Sequence, residues 1–205
     1  MNNRNQLFCD QKIILTDCDG AVLNWEYSFD IYLQQHGFKK VVGGEFKYDI
    51  GKRYGIPYEH GIRLIKQFNE SAAIGFLPAL RDSVEYVTKL HNKHGYKFHV
   101  ITSLSADKNA QELRKMNLQK VFGEGIFEKF IFLDTGESKD RVLLQYRDKD
   151  YWWIEDRIDN AEAGYTVGLR SILMEHGHNM DYDHEHIPRV KNWQEIYTII
   201  TGERD

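Results

Sequence analysis

Short β-type runs alternating with helical stretches constrain this chain more than anything else in it. Ile13-Ile14-Leu15-Thr16, Phe98-His99-Val100-Ile101-Thr102-Ser103, Phe130-Ile131-Phe132-Leu133-Asp134, Tyr151-Trp152-Trp153-Ile154 and Ser171-Ile172-Leu173-Met174 are dominated by β-branched, aromatic and other apolar residues, the composition of strands inside a sheet. Helical spacing fills the gaps. Val84, Val87 and Leu90 form one stripe that stops near Gly95, and Ser105 is placed to cap a helix with Leu113 and Met116 on its inner face. Lys139 to Tyr146 follows the turn Thr135-Gly136-Glu137-Ser138, and Asn192 precedes a terminal helix from Trp193 to Ile200. Repeated strand-helix units predict an α/β fold with a parallel sheet and helices on both faces.

One stretch breaks the rhythm. Trp25, Phe29, Tyr32, Leu33 and His36 have helical spacing with Gly37 as a stop, whereas Gly43, Gly44, Gly51 and Gly55 mark turns and short pieces between residues 38 and 56. Pro57 suits the first turn of a helix through His60, Leu64, Ile65 and Phe68, before Pro78 ends the pattern. The expected organisation is therefore a Rossmann-like core of residues 1–24 and 78–205, with a small helical cap at 25–77 inserted after the first strand. The 205 residues suffice for one core with such a lobe and not for two full domains.

In parallel sheets of this kind ligands sit beyond the carboxyl ends of the strands, so the residues collected there matter most. The first run ends in Asp17-Cys18-Asp19-Gly20, two carboxylates one residue apart. They converge if the backbone stays near-extended or turns between them. Their repulsion is relieved by a divalent cation, a shared proton or a covalent reaction at one of them. Thr102 and Ser103 end the second run, Lys139 follows the third, and Glu155 with Asp156 follows the fourth. Carboxylates from two places suit Mg²⁺, and hydroxyls with a lysine suit the remaining oxygens of a phosphoryl group.

A net charge of -4 and the absence of any lysine or arginine run argue against a nucleic-acid groove or a membrane surface as the main partner. The polar start Met1 to Gln11 is unlike a signal peptide, and no apolar run reaches membrane-spanning length. Cys9 and Cys18 are expected as free thiols in a reducing cytoplasm.

Asp17-Cys18-Asp19-Gly20-Ala21-Val22-Leu23, Val100-Ile101-Thr102-Ser103, Lys139 and Glu155-Asp156 with Asp159 resemble, in order and spacing, the four motifs of the haloacid dehalogenase-like hydrolase superfamily. The small cap, Leu77-Pro78-Ala79-Leu80, Ile154-Glu155-Asp156-Arg157, and the tail from Ile172-Leu173-Met174 to His178-Asn179 and Asn192-Trp193 are similar to its 5′(3′)-deoxyribonucleotidase branch. The resemblance implies a Mg²⁺-dependent phosphoric monoester hydrolase acting on a small phosphorylated substrate, a nucleotide in that branch. Asp17 would be the nucleophile and form an aspartyl-phosphate. Asp19 would protonate the leaving alcohol and then deprotonate water, its backbone carbonyl reaching the metal. Thr102 and Ser103 would hold a phosphoryl oxygen, and Lys139 would neutralise the phosphoryl group and Asp17. Asp17, Asp19, Glu155 and Asp156 make up the implied metal set. The branch usually has two aspartates where this chain has Glu155-Asp156, so either Glu155 with its longer arm or Asp156 with a shifted turn is the direct ligand.

In the cap, Trp25, Phe29, Phe46 and Tyr48 are candidates to hold a nucleobase, because an aromatic face stacks on any base. Helically spaced aromatics also build cores. Asp159 and Asn160 are expected to cap the following helix, Glu155 or Asp156 could instead pair with Arg157, and His176 to His186 reads as a solvated loop whose spacing matches no closed metal site. Three other readings stand beside the nucleotidase: a phosphatase of a sugar phosphate or a nucleic-acid end, a silent phosphate-binding protein, and a phosphoacceptor module. The last has its acceptor aspartate on a later strand than its acidic pair, which this order does not match. A monomer or a homodimer is compatible with all of these.

Overall fold

The computed structural model of the chain describes residues 12–204, so Cys9 and the stretch before Lys12 lie outside the described residues. In chain order the elements are β1 (Ile13–Thr16), α1 (Trp25–Gln35), α2 (Ile50–Tyr54), α3 (Tyr58–Asn69), α4 (Ser83–His94), β2 (Lys97–Ser103), α5 (Lys108–Phe122), β3 (Phe127–Leu133), α6 (Asp140–Leu143), β4 (Trp152–Glu155), α7 (Ile158–Thr166), β5 (Arg170–Met174), β6 (Arg189–Val190) and α8 (Trp193–Thr201). The strands form one sheet in the order β3-β2-β1-β4-β5-β6, and every pairing is parallel. Thr16 lies level with Val100 on one side and Ile154 on the other. The chain fills the sheet outward from β1 to β3, then crosses to β4 on the opposite side. That reversal opens a crevice at the carboxyl end of β1.

Side-chain alternation along the strands feeds two cores. Ile14, Phe98, Val100, Ile154 and Ile172 join Val87 and Leu90 of α4, Leu118 of α5, and Trp193 and Ile196 of α8. Ile13, Leu15, Ile101 and Trp153 turn the other way, onto Val142 and Leu143 of α6 and Val167 after α7. Two tryptophans tie these layers to the loops above. Trp193, fully buried, donates its indole N–H to the Ala21 carbonyl at 2.8 Å, and Trp153 donates to the Asn160 carbonyl at 3.0 Å. Helix α7 can approach Trp153 because position 164 is glycine: a Cβ there would stand 2.3 Å from Trp153 Cδ1.

The excursion over residues 25–77 leaves and returns at one place. Asn24 N–H donates to Pro78 O at 2.8 Å, Leu80 N–H donates to Val22 O at 2.8 Å, and Leu23 bridges Ala79 in antiparallel fashion. Within it α1 follows an Asn24 cap and packs Phe29 and Leu33 against Leu64 and Phe68 of α3. Pro57 precedes α3 directly, where its missing N–H costs nothing.

Several local expectations give way. Val84 is 39% exposed, and Tyr86 takes its place on the inner face of α4 beside Val87 and Leu90. Asp107, not Ser105, caps α5 by accepting from Ala110 N–H at 2.7 Å, while the Ser105 hydroxyl donates to Glu70 at 2.8 Å. Met116 is 40% exposed, because the buried side of α5 runs through Ala110, Arg114 and Leu118. The helix expected at Lys139 to Tyr146 is the one-turn α6 followed by a 3-10 turn at Leu144–Tyr146. Strand β6 is two residues long and had no signal in the sequence.

Candidate active site

At the end of β1 the backbone N–H of Asp17 still donates to Ile154 O at 2.8 Å, so the first carboxylate is held level with the end of β4. Asp17 is 7% exposed; its Oδ1 accepts from the Cys18 N–H at 2.6 Å and its Oδ2 lies 2.8 Å from Lys139 Nζ. The same ammonium is 3.0 Å from Oε2 of Glu155, whose Oε1 accepts from Asn160 Nδ2 at 2.7 Å. Burial alone would lower the Lys139 pKa, but Asp17 and Glu155 raise it and keep the ammonium charged. Burial first, then the Asp17 charge, push the Glu155 carboxyl up to about 8 against the pull of Lys139. Asp156 is pushed well above the usual carboxylate range by burial and by the charges of Glu155 and Asp17.

Asp17, Glu155 and Asp156 each offer a ligand atom within 4.8 Å of the others. Three carboxylates facing one ammonium are the donor chemistry of a hard divalent cation, and the residues present fit Mg²⁺. Their positions are unequal. Glu155 is fully buried with both oxygens engaged, whereas the Asp156 side chain is 14% exposed and lines the cavity. Gly20 makes room for it: φ is +75° there, and a Cβ would stand 2.5 Å from Asp156 Oδ2. Asp19 is outside this cluster, and its Oδ1 lies 2.6 Å from Nη1 of Arg114.

The carboxylate cluster makes metal-free stability depend on pH. A carboxyl whose folded pKa lies above its unfolded one holds more protons folded than unfolded in the interval between, so stability is greatest below that interval and declines as pH rises through it. With Glu155 moved from 4.5 to about 8, the midpoint of thermal unfolding without metal is expected to fall between pH 5 and pH 8. Glu155→Gln should flatten that slope; an identical slope in the variant would contradict the assignment.

Above the cluster lies a cavity of about 360 Å³. Asp17, Asp19, Thr102, Ser103, Lys139 and Asp156 line its floor. Thr102 is almost fully buried, and its hydroxyl has no protein partner among the described residues, while Ser103 Oγ donates to Glu137 O at 2.8 Å. From the excursion, Trp25 and Tyr48 reach the cavity. Phe29 does not: it is fully buried between Trp25 and Phe68. Phe46 is also off the cavity wall, 53% exposed beside Gly177. Both are corrections to the expected aromatic set, since one serves the packing of α1 on α3 and the other a loop-to-loop contact. Trp25 is fixed by Asn69, which accepts from its indole at 2.9 Å and donates to Leu104 O at 2.9 Å.

Several contributors went unnoticed in the sequence. Tyr58, Ile62 and Ile65 line the cavity from one face of α3, with the buried Arg53 nearby. His176 and His178 also line it, stacked with centroids 5.7 Å apart. Burial holds His176 down near 4 and also lowers His178, so both imidazoles are neutral at pH 7. Asn160 does not cap α7 but orients Glu155, and Arg157 pairs with Asp159 at 2.5 Å rather than with Glu155 or Asp156 while lying 4.9 Å over the Tyr48 ring.

No protein-family model matches the chain. An uncharacterized 32.4 kDa protein of the Gp30-rIII intergenic region of Enterobacteria phage T4 is 28% identical over 141 residues, 66% of this chain and 50% of that protein. The chain thus spans about half the length of the curated relative it matches. Among solved structures, CbbY from Rhodobacter sphaeroides in complex with phosphate superposes at a TM-score of 0.58 and 16% identity, over 91% of this chain and 96% of its own. A haloacid dehalogenase-like family hydrolase from Streptococcus pneumoniae gives 0.64 at 10% identity, over 94% and 99%. The fold is the haloacid dehalogenase-like one. The HAD-hydrolase YfnB from Bacillus subtilis bound to magnesium is a further neighbour, with a TM-score of 0.57 at 12% identity over 93% and 99%. At these identities the likeness is one of fold, and the parallel sheet with helices on both faces is as expected. Among the described residues no helix is long and apolar enough to cross a membrane.

Proposed function

We propose that this chain is a Mg²⁺-dependent phosphomonoesterase, acting through an aspartyl-phosphate at Asp17 on a nucleoside monophosphate, as in the 5′(3′)-deoxyribonucleotidase branch. The observation that carries this reading is the floor of the cavity, where the Asp17 carboxylate is held between the Cys18 N–H and Lys139, beside Asp156. Asp17 attacks phosphorus in line, forming the Asp17–phosphorus bond as the ester bond breaks. Asp19 gives its proton to the departing alcohol, then takes one from the water that releases phosphate. Thr102 holds a phosphoryl oxygen, since the Ser103 hydroxyl has given its one proton to Glu137 O, and Lys139 offsets the charge on the phosphoryl group and Asp17. Asp17 and Asp156, with the Asp19 backbone carbonyl, would hold Mg²⁺, which would supply further charge neutralisation. Glu155 serves instead to orient Lys139, because both of its oxygens are occupied and buried.

Residues 25–77 act in this reading as a cap on the core formed by 1–24 and 78–205. The nucleotide reading is supported by the cap side of the cavity, where Trp25, Tyr48 and Tyr58 with Ile62 and Ile65 offer aromatic and apolar surface for a base. A volume of about 360 Å³ falls in the range of small-molecule sites, ~300–1,000 Å³. A reducing, cytoplasmic setting accords with Cys18, a free buried thiol that burial pushes up to about 12.

Phosphate release from nucleoside 5′- and 3′-monophosphates and from sugar phosphates, with Mg²⁺ and with chelator, tests the proposal. The expected result is Mg²⁺-dependent turnover with the highest kcat/KM on nucleotides. Higher kcat/KM on sugar phosphates would overturn the substrate, and weak Mg²⁺ affinity with no turnover on any ester would favour a silent phosphate-binding protein. Asp156→Asn is expected to weaken Mg²⁺ affinity by at least ~10-fold, and Glu155→Gln to lower kcat with less effect on that affinity. The reverse pattern would make Glu155 the direct ligand.

A further inference from the structure

Asp19 is held by a guanidinium that none of the strand ends supplies. Arg114 lies in the middle of α5, its side chain has no exposure, and its Nη1 is 2.6 Å from Asp19 Oδ1. Its Nε and Nη2 are buried without a hydrogen-bond partner, and the Cys18 thiol lies against the same group. A guanidinium stripped of water and given a single carboxylate is an expensive arrangement, one that apolar side chains of similar volume often replace without loss of stability. The pair is thus weak ground for stability. The helix that carries it is itself fixed, since Asn117 exchanges two hydrogen bonds of 3.1 Å with the backbone of Leu77, and Gly75 packs against Leu113 and Met116.

We propose that Arg114 is a positioning residue for Asp19. By occupying Oδ1 it fixes the rotation of the carboxyl, so that Oδ2, which has no protein partner among the described residues, is the oxygen presented to the cavity. The assignment rests on the phosphatase reading. Oδ2 passes its proton to the alkoxide oxygen as the ester bond to phosphorus breaks and the Asp17–phosphorus bond forms. The same oxygen receives a proton from water as the Asp17–phosphorus bond breaks. Without Arg114 the carboxyl is free to turn, and proton delivery suffers while phosphate binding does not.

The test compares first-turnover release of alcohol from a nucleoside monophosphate with first-turnover release of p-nitrophenolate from p-nitrophenyl phosphate, whose leaving group departs without a proton. Arg114→Gln is expected to slow alcohol release by roughly 100-fold and the nitrophenolate burst by less than about 10-fold, with KM little changed and partial recovery in Arg114→Lys. Equal losses on both esters would overturn the proposal. Should Arg114→Gln not fold, Asp19→Asn/Arg114→Gln removes both buried charges together. It should be no slower than Asp19→Asn alone, and a markedly slower double variant would refute the coupling. Wild-type protein with neither burst nor turnover would overturn the phosphatase reading and this assignment with it, whereas an active wild type with equal losses overturns the assignment alone.

Discussion

Asp17→Asn is expected to lower kcat for phosphate release by about 10⁴-fold or more, while the metal-free protein is no less stable than the parent. The two effects have opposite origins. An amide is isosteric with the carboxylate and its one oxygen can accept from either the Cys18 N–H or Lys139, but it cannot attack phosphorus to form the acyl phosphate. Its neutrality also removes one of the charges that push Glu155 and Asp156 upward, and Lys139 keeps its 3.0 Å contact with Glu155. Repulsion inside the cluster therefore falls while the ammonium stays paired. Phosphate assays and thermal unfolding without metal measure both halves. Activity within ten-fold of the parent would sink the nucleophile assignment, and a large drop in stability would mean that Asp17 is held for structure.

What the sequence disclosed about this molecule follows the reach of its local patterns. Strands β1, β2 and β4 were legible because a strand covered on both faces must be apolar along its whole length, and Ile13 and Ile14 feed opposite cores. The acidic and hydroxyl residues at their ends were legible for the same reason, since they interrupt those runs. Strand β6 was not, because two residues carry no periodicity. The buried face of α5 was misjudged because it is largely polar: Gln111, Arg114 and Asn117 are buried there with Ala110 and Leu118. The spacing of Ala110, Arg114 and Leu118 was a visible signal, had a charged residue been admitted to an inward stripe.

The histidine-rich stretch failed for a different reason. Its composition is that of a solvated loop, which holds for Glu185 and His186 but not for its first turn. Asn179 donates to both Asp156 O and Met174 O at 2.8 Å, drawing His176 and His178 under the Glu45 backbone, which a Cβ at Gly177 would meet at 2.4 Å. Residues 45 and 177 are brought together by the return of the excursion, and no window of sequence contains both. Among the aromatics the same limit separates Trp25 and Tyr48 from Phe29 and Phe46: helical spacing shows which residues share a face, not whether that face meets a cavity or another helix.

Lys139→Met is expected to be the most damaging single change to the fold of the site. Lys139 Nζ lies over the Trp153 ring, 5.3 Å from its centroid, and methionine, unbranched and apolar, fills much of the same space while removing the charge. Asp17 and Glu155, 2.8 and 3.0 Å from Nζ, then face each other with no cation. Breaking a buried pair in this way costs about 3–5 kcal/mol, or roughly 6–20 °C in the unfolding midpoint for a chain of this size. Phosphate release should fall by at least ~10²-fold. The pH dependence separates charge from packing. Lys139 is among the groups that lower the Glu155 pKa, so its removal raises that value further, and protonation relieves the repulsion wherever the pH lies below it. The stability deficit should therefore grow as the pH rises through and above about 8 and be smaller toward pH 5, where the Glu155 carboxyl is neutral with or without Lys139. At equal Mg²⁺ the deficit should narrow as well, because the variant's cluster, one cation poorer, binds the ion more tightly and each ten-fold in Kd shifts the difference by about 1.4 kcal/mol. A deficit of the same size at every pH would instead place the role of Lys139 in its contact with Trp153, and the ammonium would lose its part in holding the nucleophile.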